Sequence, residues 1–271
     1  MSDGFASIHA GPVPAVPARA SVAGRTMLAT VALAVAFGLA ARVVELRPLE
    51  LVRDIGNVGV FLKGYLHPSF GNLGEYTWQC VVTLCIALWG TVLALLVSVP
   101  LGLLGARNLS PHPIVYFAAR RVMDVLRAVN EFVFALMFVT AVGLGPFAGM
   151  LALGIHTGGI LGKLLSETIE AVDPGQVEGV AAVGAGRLQV IAFGVVPQVL
   201  PNYISYVLLR LESDVRSASV IGMVGGGGIG FYLWDTIRSF NDREAATVIL
   251  LIVLMVMAID LVSARVRRLA I

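Results

Sequence analysis

Four ionisable side chains crowd one apolar stretch: Arg210, Glu212, Asp214 and Arg216 stand at alternate positions between Leu209 and Ser217. A guanidinium group grips phosphoryl or carboxylate oxygens bidentately, so such a cluster can meet an anion. It can also satisfy itself, because Glu212 and Arg216 are four apart and able to pair along a helix. Charges in an apolar medium are costly, and they either face an aqueous cavity or pair with one another. His156 is a second polar residue within an apolar run. It can face a cavity or hydrogen-bond a neighbouring helix, and a lone histidine without partner ligands is no metal site. Bond-breaking chemistry has no visible carrier: there is neither a nucleophile elbow nor a metal-spaced cluster. The segment from Thr157 to Leu164 superficially resembles a phosphate-binding loop, but Thr157 replaces its first glycine and Leu164 its hydroxyl residue. The chain therefore lacks an ATPase motor of its own. Cys80 and Cys85, five residues apart in an apolar run, point in different directions on a helix, so neither a disulfide nor a metal pair is expected.

The elements that position these residues are membrane helices. Of 271 residues, 58% are hydrophobic and only 13% charged, against about 25% charged in an ordinary soluble domain. Apolar segments at 27–44, 78–104, 128–143, 147–165, 197–222 and 245–263 approach or exceed the ~20 helical residues a bilayer requires. The expected fold class is thus an all-α polytopic membrane protein with about six transmembrane helices. Residues 1–24, rich in Ala, Pro, Ser and Gly, read as a disordered tail. Arg25, an apolar core and Ala40-Ala41 also fit a signal peptide, although the long preceding tail suits an uncleaved anchor. Residues 25–77 then comprise the first span and an outer loop with short interfacial structure at 45–77. With a cytoplasmic N-terminus, inner segments hold eleven Lys and Arg and outer segments six, which predicts both termini inside. Arg265, Arg267 and Arg268 are the strongest anchor. The scattered arginines form no patch for nucleic acid.

Within the expected spans, Gly154, Gly158 and Gly162 recur every four residues, with Ser166 next, a small-residue ribbon for close helix packing. Arg210 lies 13 residues beyond Pro197, about 20 Å along a helix, with Arg216 at about 28 Å; both would sit past the midplane. The run Gly225, Gly226, Gly227, Gly228 cannot be a stable helix interior and is expected to end the fifth helix at the outer face, as a flexible gate or a tight returning loop.

The polar interruption from Asp173 to Pro201 is the most unusual stretch. Asp173-Pro174-Gly175 is a turn, Gln176 to Val183 a short helix, Gly184-Ala185-Gly186 a break, and Leu188 to Val195 a second short apolar helix. Pro197 and Pro201 open the next span, where a missing N–H costs least. Two short, partly apolar helices at a membrane surface need either a protein groove or the headgroup layer.

Glu178, Gly184, Ala185, Leu188, Gln189 and Pro197 stand at the spacing of the docking loop of ATP-binding-cassette importer permeases, and the segment resembles that loop. The family's two alanines after the glutamate are Gly179 and Val180 here, with Ala181 and Ala182 one step later; its Ile-x-Leu-Pro ending reads Gly194-Val195-Val196-Pro197. The likeness extends over about 78–268. It includes Ala106-Arg107-Asn108, the Gly143–Gly149 turn, Pro197-Gln198, Glu212-x-Asp214-x-Arg216 and Gly225–Gly230. Together these are similar to the permease subunit of phosphonate importers, although such permeases often have Asn where Asp214 stands. Related systems carry phosphite or phosphate, and the loop and glycine run are shared with methionine-importer permeases.

The resemblance implies a type I importer permease whose coupling helices, at about 173–196, dock on an ATPase subunit dimer through Glu178, Ala181, Ala182, Gly184, Ala185, Leu188 and Gln189. ATP and Mg would be used by that partner, with no cofactor on this chain. It further implies an extracytoplasmic substrate-binding protein, a second permease copy, usually identical, and residence in a bacterial inner membrane. Arg210, Glu212, Asp214, Arg216 and His156 are the expected residues of the translocation path, and Gly225 to Gly228 of the gate. An ion-coupled secondary transporter, the rival reading, would show inverted repeats or paired broken helices, and no convincing halves are visible.

Overall fold

The computed structural model describes residues 19–270, and no strand occurs among them. Of the expected tail, residues 1–18 lie outside the described residues; 19–24 belong to a helix. The chain divides into two compact units, 1–60 and 61–271.

The first unit holds α1 (Arg19–Val43) and α2 (Pro48–Arg53), and α3 (Ile55–Tyr65) runs across the boundary. Helix α1 carries no charge between Arg25 and Arg42, and a helix apolar all round needs an apolar medium. The expected outer loop thus contains two short helices, the first opened by Pro48 in its first turn.

The second unit is built around α4 (Leu73–Leu104) and α7 (Pro146–Glu170), its most extensively packed pair. The reason lies in the small-residue ribbon. A Cβ on Gly154 would stand 2.5 Å from Leu93 and one on Gly158 3.0 Å from Val97, both on α4; one on Gly162 would stand 3.5 Å from Ser98 Cα of α4 and 2.9 Å from the sulfur of Met123, on the helix that follows α4. Gly90 and Gly102 of α4 receive Leu153 and Leu165 in return. Ala87, Ala94, Ala152, Leu153 and Leu161 are fully buried along this seam. Where lipid is as apolar as the side chains, such close packing is what holds helices together.

The expected third span, 128–143, is the second arm of a bent helix pair. Helix α5 (Pro113–Ala128) meets α6 (Glu131–Val142) at 89°. At the corner Asn130 caps α6, its Oδ1 accepting from the Phe132 N–H at 2.9 Å, and Val129 is extended. Twelve residues give α6 a length of only about 18 Å, short of the ~30 Å hydrocarbon core. Five helices among the described residues are long and apolar enough to cross a membrane, or six with this bent pair as one span.

After α7 the chain forms α8 (Pro174–Ala182) and α9 (Arg187–Val190). The expected second short helix is not separate. It passes through a π-helical turn, Ile191–Val195, into α10 (Val196–Ile221), so Pro197 sits inside the first turn of α10 instead of opening a detached element. A 3-10 turn (Gly222–Val224), α11 (Ile229–Arg238) and α12 (Asp242–Ala270) complete the unit.

Candidate functional site

The charged stretch of α10 meets α4, α7 and α12, and it pairs both with them and, through Arg210 and Asp214, with itself. Asp214 is completely buried. Its carboxylate accepts from Thr157 Oγ1 at 2.8 Å, Thr91 Oγ1 at 3.1 Å and Arg210 Nη2 at 3.3 Å. These three bonds replace the water that the carboxylate has lost; Arg210 also reaches Thr157 at 3.3 Å, while its buried Nε finds no partner. The expected Glu212–Arg216 pair does not form. Arg267 takes Glu212 at 2.6 Å, and Asp260 faces Arg216 at 3.3 Å. The intrahelical pair is instead Arg210–Asp214. On a helix both pairings have the same spacing; the neighbours supplied by α12 decide between them.

Depth follows from the same contacts. Thr157 is 11 residues into α7, about 16 Å, which places Asp214 near the middle of that span. Arg216 follows two residues on, about 3 Å further along the axis. Arg210 is largely covered, while the Arg216 side chain is 51% exposed. Of the two expected anion-facing arginines, only Arg216 presents an open guanidinium.

His156 is buried and closes the corner between α5 and α6. Its Nδ1 lies 2.8 Å from the Val129 carbonyl oxygen, and its Nε2 lies 3.3 Å from Glu131 Oε2. Both ring nitrogens thus face oxygen atoms of the corner. The other Glu131 oxygen accepts from Ser217 Oγ at 2.9 Å, which carries the network to α10. Sequence reasoning missed Glu131, Ser217, Thr91 and Thr157, whose spacing gives no signal. Asn130 before Glu131 was a readable helix start. Among the described residues, no acidic, histidine and cysteine cluster can hold a metal ion.

The glycine run packs against the first turn of α7. Gly225, Gly227 and Gly228 adopt φ of 94°, 78° and 77°, a region other residues avoid. The Gly225 carbonyl accepts from the Gly145 N–H at 2.8 Å, and the Ile229 N–H donates to Thr83 Oγ1 at 2.9 Å. A Cβ on Gly227 would lie 2.7 Å from Pro146 N.

The loop between α7 and α10 stands apart from this core. Asp173 caps α8 through the Gly175 N–H at 2.9 Å, and Gln189 Oε1 accepts from the Gly186 N–H at 2.8 Å. Gln198 fastens the base: its Oε1 accepts from the Asp173 N–H at 3.0 Å, and its Nε2 donates to the Gly194 carbonyl at 2.7 Å. Gly194, where the sequence departs from the expected loop ending, lets α8 approach; a Cβ there would stand 3.3 Å from Val177 Cα. Glu178, Ala181, Ala182, Gly184, Leu188 and Gln189 are exposed and Ala185 is half-buried. Val183 is 84% exposed, Leu188 82% and Phe193 70%.

The comparisons agree with this architecture. Residues 98–270 match the family model described as a binding-protein-dependent transport system inner membrane component. The phosphite transport system permease protein PtxC of Stutzerimonas stutzeri is 36% identical over 80% of this chain and 79% of its own length. The phosphate-import permease protein PhnE of Mycolicibacterium smegmatis is 36% identical over 82% of this chain, which spans 42% of that protein. A chain of the MetNI methionine ABC transporter in inward facing conformations superposes with a TM-score of 0.66, covering 75% of this chain and 99% of that one. At 19% identity that likeness is one of fold. Bent helix pair, glycine turn, exposed loop and matched sequence converge: the chain is a multi-pass inner membrane protein belonging to the binding-protein-dependent transport system inner membrane component family.

Proposed function

We propose that this chain is the membrane-spanning permease of an ATP-driven importer for small phosphorus oxyanions, namely phosphonate, phosphite or phosphate. The observation that carries the motor-driven part is the loop at 173–198, which is fixed at its base by Gln198 yet leaves Val183 and Leu188 more than 80% exposed. Apolar side chains held on a rigid, capped frame are a surface built for a protein groove. An ATPase subunit dimer, using ATP and Mg, is the occupant proposed. The substrate class is supported by the extent of likeness to the phosphite permease.

The remaining parts belong to the same reading. Two copies of the chain enclose the path, a binding protein delivers the anion from outside, and both termini face the cytoplasm. Arg216 is the cation that the passing anion meets, and the glycine turn closes the outer end. Coexpression with the cognate ATPase subunit and purification through a tag on the permease tests the motor. A permease that purifies alone and drives ion-coupled uptake in liposomes overturns the reading. Binding of methylphosphonate, phosphite, phosphate and methionine to the cognate binding protein tests the substrate; methionine as the preferred ligand replaces the oxyanion class.

A further inference from the structure

The Ala106-Arg107-Asn108-Leu109 block lies at the loop end of the helices, remote from the buried charges. Ala106 is fully buried where α4 stops. The Arg107 backbone N–H donates to Glu170 Oε1 at 2.7 Å, and Asn108 Nδ2 donates to the Ile169 carbonyl at 2.8 Å. Both acceptors belong to the last turn of α7. From α5, Arg120 Nε donates to the Gly105 carbonyl at 3.0 Å, and its Nη2 lies 2.8 Å from the same Glu170 oxygen. That second approach is an ionic contact without hydrogen-bond alignment. The Arg120 guanidinium also covers the Tyr116 ring, 5.2 Å from its centroid. From α9, the Arg187 guanidinium donates to the Leu109 carbonyl.

These contacts bracket the exposed loop. Glu170 stands three residues before Asp173, where the loop begins, and Arg187 opens its second half. The Arg120 and Glu170 side chains are 17% and 30% exposed, so their pairing is more than a solvated rim contact, and one carboxylate oxygen joins α4, α5 and α7.

We propose that Glu170, Arg120, Asn108 and Arg187 form a coupling clamp that transmits displacement of the docking loop to α4, α5 and α7. The inference rests on the loop being the ATPase contact. The four act as positioning residues: none of them has to touch the transported anion. The block is then part of the drive train, and its presence says nothing directly about the substrate.

The test uses the complete transporter, permease with ATPase subunit and binding protein, in proteoliposomes. Glu170→Gln keeps the shape but places an amide at the shared oxygen. Uptake is expected to fall about tenfold, within the usual size of coupling between sites, while ATP hydrolysis falls far less, so more ATP is used per anion imported. Arg187→Ala, on an exposed side chain, should raise the same ratio, and Arg187→Lys, which keeps a donor, should restore much of it. Unchanged uptake, or uptake and hydrolysis falling in proportion, overturns the clamp. If Glu170→Gln fails to assemble, the Arg187 pair decides alone. Failure of the docking reading shows separately, as a wild-type permease that does not copurify with an ATPase subunit.

Discussion

Asp214 has no exposed surface, yet it holds together three helices through two threonine hydroxyls and one guanidinium. Removing one member of a buried ion pair strands the other, at a cost of about 3–5 kcal/mol. Asp214→Ala should therefore lower the thermal unfolding midpoint of the detergent-purified protein markedly. Arg216 gives the opposite expectation. Its pair with Asp260 is half exposed, and such pairs contribute roughly 0–1 kcal/mol. Arg216→Gln should leave unfolding almost unchanged while reducing anion uptake, and normal uptake would remove Arg216 from the path. The sequence made all four charges of α10 visible and left their partners hidden. Arg210–Asp214 and Glu212–Arg216 have equal spacing, and only Thr91, Thr157, Asp260 and Arg267, brought in by three other helices, discriminate between them.

Helices meet here through absent side chains. The ribbon of Gly154, Gly158 and Gly162 was legible because a repeat of four marks one helix face, and each member does face a close neighbour. Gly158→Leu should force α7 off α4 and cost about 1–3 kcal/mol by overpacking, read as a lower melting temperature in detergent. The corner between α5 and α6 falls at the start of the expected span 128–143; what stayed hidden is α5 as a preceding arm, at an angle fixed by the Asn130 cap and by His156 reaching Val129 and Glu131. Local polarity gave the clue, and long-range contact gave the angle. The glycine turn illustrates a limit on interpretation by mutation. Gly227 combines a positive φ with a backbone neighbour 2.7 Å from a Cβ, so alanine there disturbs packing whether or not the turn opens during transport.

On the scale of the whole molecule, two regions divide the work. The buried charges at mid-span belong to the helical core, and the apolar surface of Val183 and Leu188 lies on the exposed loop. Leu188→Glu should leave the permease folded, since that side chain is 82% exposed, and should abolish copurification with the ATPase subunit. Retained copurification would exclude this face from the contact. The loop's placement was legible from its proline, glycine and acidic punctuation. Its continuity with α10 was not, because Pro197 and Pro201 read as a fresh start while the structure fits Pro197 into the first turn and keeps Pro201 within the helix.

That continuity makes azimuth a matter of counting. The loop hangs from a rod that runs unbroken from Arg187 to Val224, with Ile191–Val195 wound as a π turn. Each residue of an α-helix advances the chain by about 100°, and a π turn takes up about one residue more than an α turn. Losing one residue here would return the joint to a plain α turn and would disturb packing, because Val195 is buried in the core and Gly194 makes room for α8. The bearing of Leu188 on the rod is thus set both by the length of this joint and by two of its residues, Gly194 facing α8 and Val195 facing the core.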